Sequence, residues 1–179
     1  MDKFCLVITL NRENFLKNIF DYYNNAKFKI VIAHNIKKQI NPPLNQNIEL
    51  MFIDEEFAIP RAFKALDKIK EKYFMLFCDD DFFFSEIIQK SVDFLEKNTQ
   101  FSNAHGLQLS IKFFNNKIIS NYDDLDLSLV NFYNDSINTK FRLLQFFTNR
   151  YDDKILSIMN KKLFIDIYEC FKPMQDEYP

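Results

Sequence analysis

Tyr73-Phe74-Met75-Leu76-Phe77-Cys78-Asp79-Asp80-Asp81-Phe82 decides the fold. Five apolar residues after Tyr73 show no polar alternation, and three carboxylates follow at once. A short continuous apolar run of this kind reads as a strand covered on both faces, at the centre of a parallel sheet. Ser85 can cap a helix beyond it, with apolar positions at Ile87, Ile88, Val92 and Leu95.

The segments before this run alternate in kind. Ile59, Ala62, Phe63, Leu66 and Ile69 recur at helical spacing, with Pro60 suited to the first turn. Arg61, Lys64 and Lys68 share another face of the same helix. Ile48–Ile53 reads as a strand, and residues 36–47, with Pro42-Pro43 and several Asn and Gln, as a loop. Lys29–Ala33 and Phe4–Leu10 are two further strands, separated by an amphipathic helix over about residues 13–24 carried by Phe15, Leu16, Ile19, Phe20, Tyr22 and Tyr23. The order β-α-β-β-α-β-α predicts an α/β domain with a mostly parallel sheet and helices on both faces.

Beyond residue 100 the pattern is less regular. Leu107–Phe114 and Lys117–Ser120 flank Asn115-Asn116, which predicts a hairpin with a two-residue turn. Residues 121–140 are rich in Asn and Asp and read as loop with short helix. Leu143–Phe147, Lys154–Met159 and Leu163–Phe171 are short elements, the last of them helical. With 179 residues, no repeat and no clear linker, the chain is expected to form one domain over 1–179.

Composition narrows the function classes. A formal charge of −2 offers no basic surface for a phosphate backbone, so nucleic acid is not an expected partner. Cys5, Cys78 and Cys170 are odd in number and widely spaced, which fits reduced residues in a reducing compartment better than a disulfide set or a zinc site. Phe4–Leu10 is too short to span a membrane and has no small-residue cleavage site after it, so the expected location is the cytoplasm.

The chemistry concentrates at Asp79-Asp80-Asp81. Adjacent like charges raise one another's pKa, and the apolar strand beside them adds a desolvation cost. A divalent cation relieves both, and Asp oxygens suit Mg²⁺ or Mn²⁺. Ligands in open α/β sheets also bind beyond the carboxyl ends of strands, where these acids lie. The alternative is a solvated acidic turn whose Asp residues serve only the backbone. Asp124-x-Asp126 repeats the spacing but follows Asn121-Tyr122 instead of an apolar strand, and reads as loop.

Val7-Ile8-Thr9-Leu10-Asn11-Arg12-Glu13 before a helix, the strand after it, and the triple Asp at the end of an apolar strand resemble the GT-A glycosyltransferases of the family 2 kind. Thr9, Asn11 and Arg12 match the family's "P-T-Y-N-R" stretch, with Ile8 in place of its Pro, and Asp79–Asp81 match its Asp-x-Asp. More narrowly, the triple Asp looks like a small bacterial set with a downstream "Y-S-V-H-R" strand, echoed weakly by Tyr151 and Ile155–Asn160.

The resemblance implies a GT-A-like domain with a nucleotide-sugar-binding half over 1–100 and an acceptor-side half over 101–179. It further implies transfer of a sugar from a nucleotide-sugar donor, a UDP-sugar first, to a glycan or lipid-linked acceptor in surface polysaccharide assembly. That work would be done at the inner face of the membrane, with peripheral membrane association. The implied cofactor is Mn²⁺ or Mg²⁺, held by Asp81 and Asp79, the latter also reaching ribose or a metal-bound water. Thr9, Asn11, Arg12, His34, Lys64 and Asp80 are the implied donor-binding residues, with Arg61 one turn before Lys64. His34-Asn35 stand where the family has an Asp. His105-Gly106 would line the acceptor side, and core turn geometry explains the single Gly equally well. Asp176 or Glu177 is the implied base, although the family fold continues beyond such a point with further helices, so the chain is expected to be incomplete. Two other readings stay open. One is a nucleotidyltransferase on a similar fold, for which a Gly-rich loop is missing; the other is an inactive nucleotide-binding remnant.

Overall fold

The computed structural model describes residues 2–41, 43–104, 112–114, 117–119 and 157–166. The chain divides into two units, Met1–Ala104 with Ile155–Pro179, and His105–Lys154. In the first, strands β1 (Phe4–Leu10), β2 (Lys29–His34), β3 (Ile48–Phe52) and β4 (Tyr73–Cys78) run parallel in the order β3-β2-β1-β4. Two short antiparallel strands, Asn103–Ala104 (β5) and Ile158–Asn160, extend the sheet past β4, with Ile158–Asn160 lying between β4 and β5. The predicted α/β class and mostly parallel sheet are therefore present.

β1 explains why the sheet needs helices on both sides. Every one of its residues is buried, and successive side chains point to opposite faces. Phe4, Leu6, Ile8 and Leu10 enter one core with Leu16 and Ile19 of helix α1 (Leu16–Tyr22) and Ile88, Val92 and Leu95 of helix α3 (Ile88–Lys97). Cys5 and Val7 enter the other with Ala65 and Leu66 of helix α2 (Ala58–Leu66). An apolar run without alternation is what burial on both faces requires.

Helix boundaries differ from the sequence reading in instructive ways. The helix expected from residue 13 begins as a 3-10 turn at Glu13–Phe15 and becomes α-helical at Leu16. Ser85 opens a second such turn, Ser85–Ile87, instead of capping α3. On α2 the expected stripe is rotated: Ile59 is exposed, whereas Arg61, placed with Lys64 and Lys68 on another face, is buried with Ala62, Ala65 and Leu66. Helical spacing names faces but cannot tell that one polar side chain has carbonyls waiting for it inside.

Among its described residues the connection from β2 to β3 holds no helix. Asn45 Nδ2 donates to the carbonyls of Tyr23 and Ala26 at 3.0 and 3.2 Å, and Asn47 Nδ2 donates to Ala26 at 3.0 Å. These bonds fasten the loop to the end of α1. Residues 161–166 are helical, beginning two residues before the expected Leu163–Phe171 helix and overlapping its start. In the second unit, β6 (Lys112–Phe114) and β7 (Lys117–Ile119) pair antiparallel with Phe114 opposite Lys117, as the hairpin reading requires. The elements expected at 121–140 and Leu143–Phe147 lie outside the described residues.

Candidate functional site

Register carries the candidate residues to one edge. Thr9 of β1 lies opposite Cys78 of β4, Leu10 opposite His34 of β2, and His34 opposite Phe52 of β3. The chain therefore leaves β1 into Asn11-Arg12 beside the point where β4 runs into Asp79-Asp80-Asp81. This is the carboxyl edge of the parallel strands, where open α/β sheets take their ligands.

Asp79 is fully buried there, and its carboxylate is occupied. Oδ2 accepts the backbone N–H groups of Asn11 and Arg12 at 2.8 and 2.7 Å. Oδ1 accepts Arg12 Nε at 3.0 Å and an Nη of the same guanidinium. Burial pushes the Asp79 carboxyl up, but the Arg12 side chain and the two amides outweigh it and hold it below the usual carboxylate range. The same pairing raises the Arg12 guanidinium above its ordinary value. Of the two roles implied for Asp79, cation and ribose contact, neither has a lone pair in easy reach once four donors are seated. Asp79 holds the loop.

The other two acids stand differently. Asp80 is half exposed and takes a 2.8 Å contact from the Arg12 guanidinium. Asp81 accepts the Cys78 backbone N–H on Oδ2 at 3.2 Å. Burial raises the Asp81 carboxyl above its ordinary value; the Cys78 amide opposes this, and the negative charges of Asp80 and Asp79 reinforce it. Cys78 is exposed as a residue, but its thiol is partly shielded from water, and that desolvation together with the three acids pushes it up. The segment after the acids is anchored to α1 and its end: Phe83 N donates to Tyr23 Oη at 3.2 Å, and Tyr22 Oη donates to the Phe83 carbonyl at 3.3 Å.

Arg61 fastens the loop after β1 from the opposite side. Only 1% exposed, it donates to the carbonyls of Leu10 at 2.6 Å, Glu55 at 3.1 Å and Glu56 at 2.7 Å, and to Asn11 Oδ1 at 3.2 Å. A planar guanidinium suits this fan of acceptors, which a lysine could not serve. Arg61 is thus engaged within the fold and does not stand as a phosphate contact beside Lys64. Lys64 itself is exposed and pairs with Glu55 at 2.7 Å, whose carboxyl it lowers. Asn11 is held through both its backbone, by Asp79, and its side chain, by Arg61. Thr9 is buried, its hydroxyl donating to the Phe77 carbonyl at 3.3 Å across the β1–β4 pair.

His34 closes β2 at 6% exposure, edge-on to Phe52 with ring centroids 5.9 Å apart. Its Nδ1 is buried and has no hydrogen-bond partner among the described residues. Burial depresses its basicity first, and the positive charge of Arg61 adds to that.

Register thus brings Thr9, Asn11, Arg12, His34 and Asp79–Asp81 to one edge, while Lys64 stays on the outer face of α2. Gly106, His105, Asp124, Asp126, Tyr151, Asp176 and Glu177 lie outside the described residues. Among the described residues no group of three or more His, Cys, Asp or Glu side chains is gathered closely enough to hold a metal ion. No helix there is long and apolar enough to cross a membrane. No family model matches the chain, and no curated protein matches it.

The sequence reading missed the two arginines as internal ties. For Arg12 a signal existed: three consecutive acids at a strand end need a counter-charge, and Asn11-Arg12 ends the neighbouring strand. For Arg61 none did, because its acceptors are the Leu10, Glu55 and Glu56 carbonyls and the Asn11 side chain, in two segments far apart in sequence.

Proposed function

We propose that this chain is a glycosyltransferase that moves a sugar from a nucleotide-sugar donor, a UDP-sugar first, to a glycan or lipid-linked acceptor in surface polysaccharide assembly. The observation that carries the reading is the juxtaposition of Asn11-Arg12 with Asp79-Asp80-Asp81 at the carboxyl ends of two adjacent parallel strands. This edge is where such sheets bind nucleotides, and the sequence resemblance to GT-A enzymes falls on the same residues.

Asp80 and Asp81 suit a divalent cation. Mg²⁺ commonly binds through one or two carboxylates, completing its shell with water and substrate phosphate oxygens. Burial and the neighbouring charges of Asp80 and Asp79 keep the Asp81 carboxyl raised although the Cys78 amide and the charge of Arg12 oppose them, and a bound cation would relieve that strain. Mg²⁺ or Mn²⁺, when bound, supplies Lewis-acid stabilisation to a departing nucleoside diphosphate. Asp79 keeps the β1–α1 loop against the acid turn, so that Asn11 and Arg12 present a fixed surface to the donor. His34 would reach the base or ribose edge of a nucleotide only by bringing its buried Nδ1 to the surface. Lys64 would reach donor phosphate only by leaving Glu55. Asp176 or Glu177 is the proposed base that takes the acceptor hydroxyl's proton. The enzyme would work on the cytoplasmic side, in peripheral association with the membrane that carries its acceptor.

Calorimetric titration with UDP, with and without Mn²⁺, tests the reading, followed by donor turnover with UDP-, GDP- and CMP-sugars. Manganese-assisted uptake that Asp81→Asn abolishes is the expected result. A folded sample that takes up no nucleotide with Mn²⁺ ends it. Uptake without turnover of any donor would leave a nucleotide-binding protein in place of an enzyme.

A further inference from the structure

We infer that the free edge of β3 is an interaction surface whose partner is a second copy of this chain, the two β3 strands pairing antiparallel about Leu50 into one continuous sheet. None of the acids after β4 takes part.

β3 closes the sheet on one side and pairs only with β2 among the described residues. Two main-chain bonds fix which of its groups face inward: Ile30 N donates to the Asn47 carbonyl at 2.8 Å, and Ile53 N donates to the His34 carbonyl at 2.8 Å. Alternation along a strand then turns the backbone groups of Glu49 and Met51 towards β2, and those of Ile48, Leu50 and Phe52 outward. The Ile48 N–H is taken by the Asn45 carbonyl at 3.1 Å. The Ile48 carbonyl and both main-chain groups of Leu50 and Phe52 are left without a partner among the described residues. Such an edge invites another strand, and soluble proteins blunt it with proline, lysine or a bulge. β3 has none of these. Its register with β2 runs unbroken from Ile48 to Phe52, and its single charge, Glu49, is paired with Lys29 at 3.2 Å.

The strand also complements itself when reversed about Leu50. Leu50 then exchanges N–H and carbonyl with Leu50 of the second copy, and Phe52 N–H meets the Ile48 carbonyl, as an antiparallel ladder requires. Glu49 falls opposite Met51, so no like charges face each other. Half-exposed Phe52 falls opposite Ile48, on the face where Leu50 joins the core. Reversal further sets the segment before one strand beside the segment after the other. Leu44, 94% exposed, lies in the first of these and Phe57, 67% exposed, in the second. A twofold pairing covers both ends at once, which favours a second copy over an unrelated strand.

Sedimentation velocity of the full chain over about a hundredfold range of concentration tests this, with amide hydrogen exchange read at the same concentrations. The expected result is a dimer whose share grows with concentration. Protection of the Leu50 and Phe52 amides should grow with it, while the Glu49 and Met51 amides are protected throughout. Phe52→Pro removes an outward donor and no bond to β2, so it is expected to weaken the dimer roughly tenfold or more and leave the monomer folded. A chain that stays monomeric overturns the proposal and leaves the edge to an extended segment of another protein. A dimer whose Leu50 and Phe52 amides exchange as in the monomer, or one that Phe52→Pro leaves unchanged, overturns it by placing the interface elsewhere. Should the proline variant fail to fold, exchange in the unaltered chain decides alone.

Discussion

Asp79 at the end of β4 and Arg12 behind β1 are joined through both side chain and main chain, across 67 positions of sequence. The carboxylate lies on the buried side of the turn and closes the two central strands at their functional edge. It is at once the first acid of the motif and a structural strut, and the consequences of that double position are measurable.

Substituting Asp79 should harm folding far more than substituting Asp80. Asp79→Ala strands two backbone amides and a guanidinium, a loss of about 3–5 kcal/mol typical of breaking a buried ion pair. Asp80→Ala removes one exposed contact and should change stability by less than about 1 kcal/mol. Urea denaturation of the two variants decides the matter. Equal losses would show that Asp79 is not the strut.

Arg61→Met should destabilise the chain by roughly 2–4 kcal/mol, because acceptors in two segments, 10–11 and 55–56, lose a shared donor and at least some remain buried without one. Arg61→Lys should recover only a fraction, since one ammonium cannot reach the Leu10, Glu55 and Glu56 carbonyls together. Thermal melts of both variants, with hydrogen exchange read at residues 10–12, check the size and the place of the damage. Full rescue by lysine would contradict the fan of bonds described above.

His34 should make the fold lose stability on mild acidification. Its folded pKa lies below the ordinary value of 6.5. As pH falls through 6.5 the unfolded chain therefore binds a proton that the folded chain refuses. Stability is fully present above 6.5 and declines below it, until the folded state also takes the proton. Asp79 contributes in a separate and lower window: its stabilisation is present above the ordinary Asp value of 3.8 and is lost as pH falls through its depressed folded pKa. Denaturation midpoints at pH 7.5 and 5.5 should differ in the unaltered protein and converge in His34→Gln. A slope that persists in the variant would assign the effect elsewhere.

Lys64→Ala should leave stability within about 1 kcal/mol of the unaltered chain, as its pair with Glu55 is exposed. If Lys64 contacts donor phosphate as proposed, the variant should bind UDP several-fold more weakly at the same stability. Unchanged affinity would return Lys64 to the solvated helix face.

Much of this architecture is written along the chain. Apolar runs without alternation at Phe4–Leu10 and Tyr73–Cys78 already demand cover on two faces, and the helical spacings between them supply that cover. Parallel order, the placement of Asp79–Asp81 at a strand's carboxyl end and the antiparallel pairing of β6 with β7 follow from such local signals. Burial pattern is a local property of a strand or helix, which is why it can be read without coordinates. What the acids do is decided elsewhere. The crowded charges at 79–81 call for a cation, but only the pairing of β1 with β4 brings Arg12 within reach as one, and only the crossing of α2 sets Arg61 among the Leu10, Glu55 and Glu56 carbonyls. Electrostatic partners are chosen by distance in space, and residues 12, 61 and 79 become neighbours only after the sheet has formed.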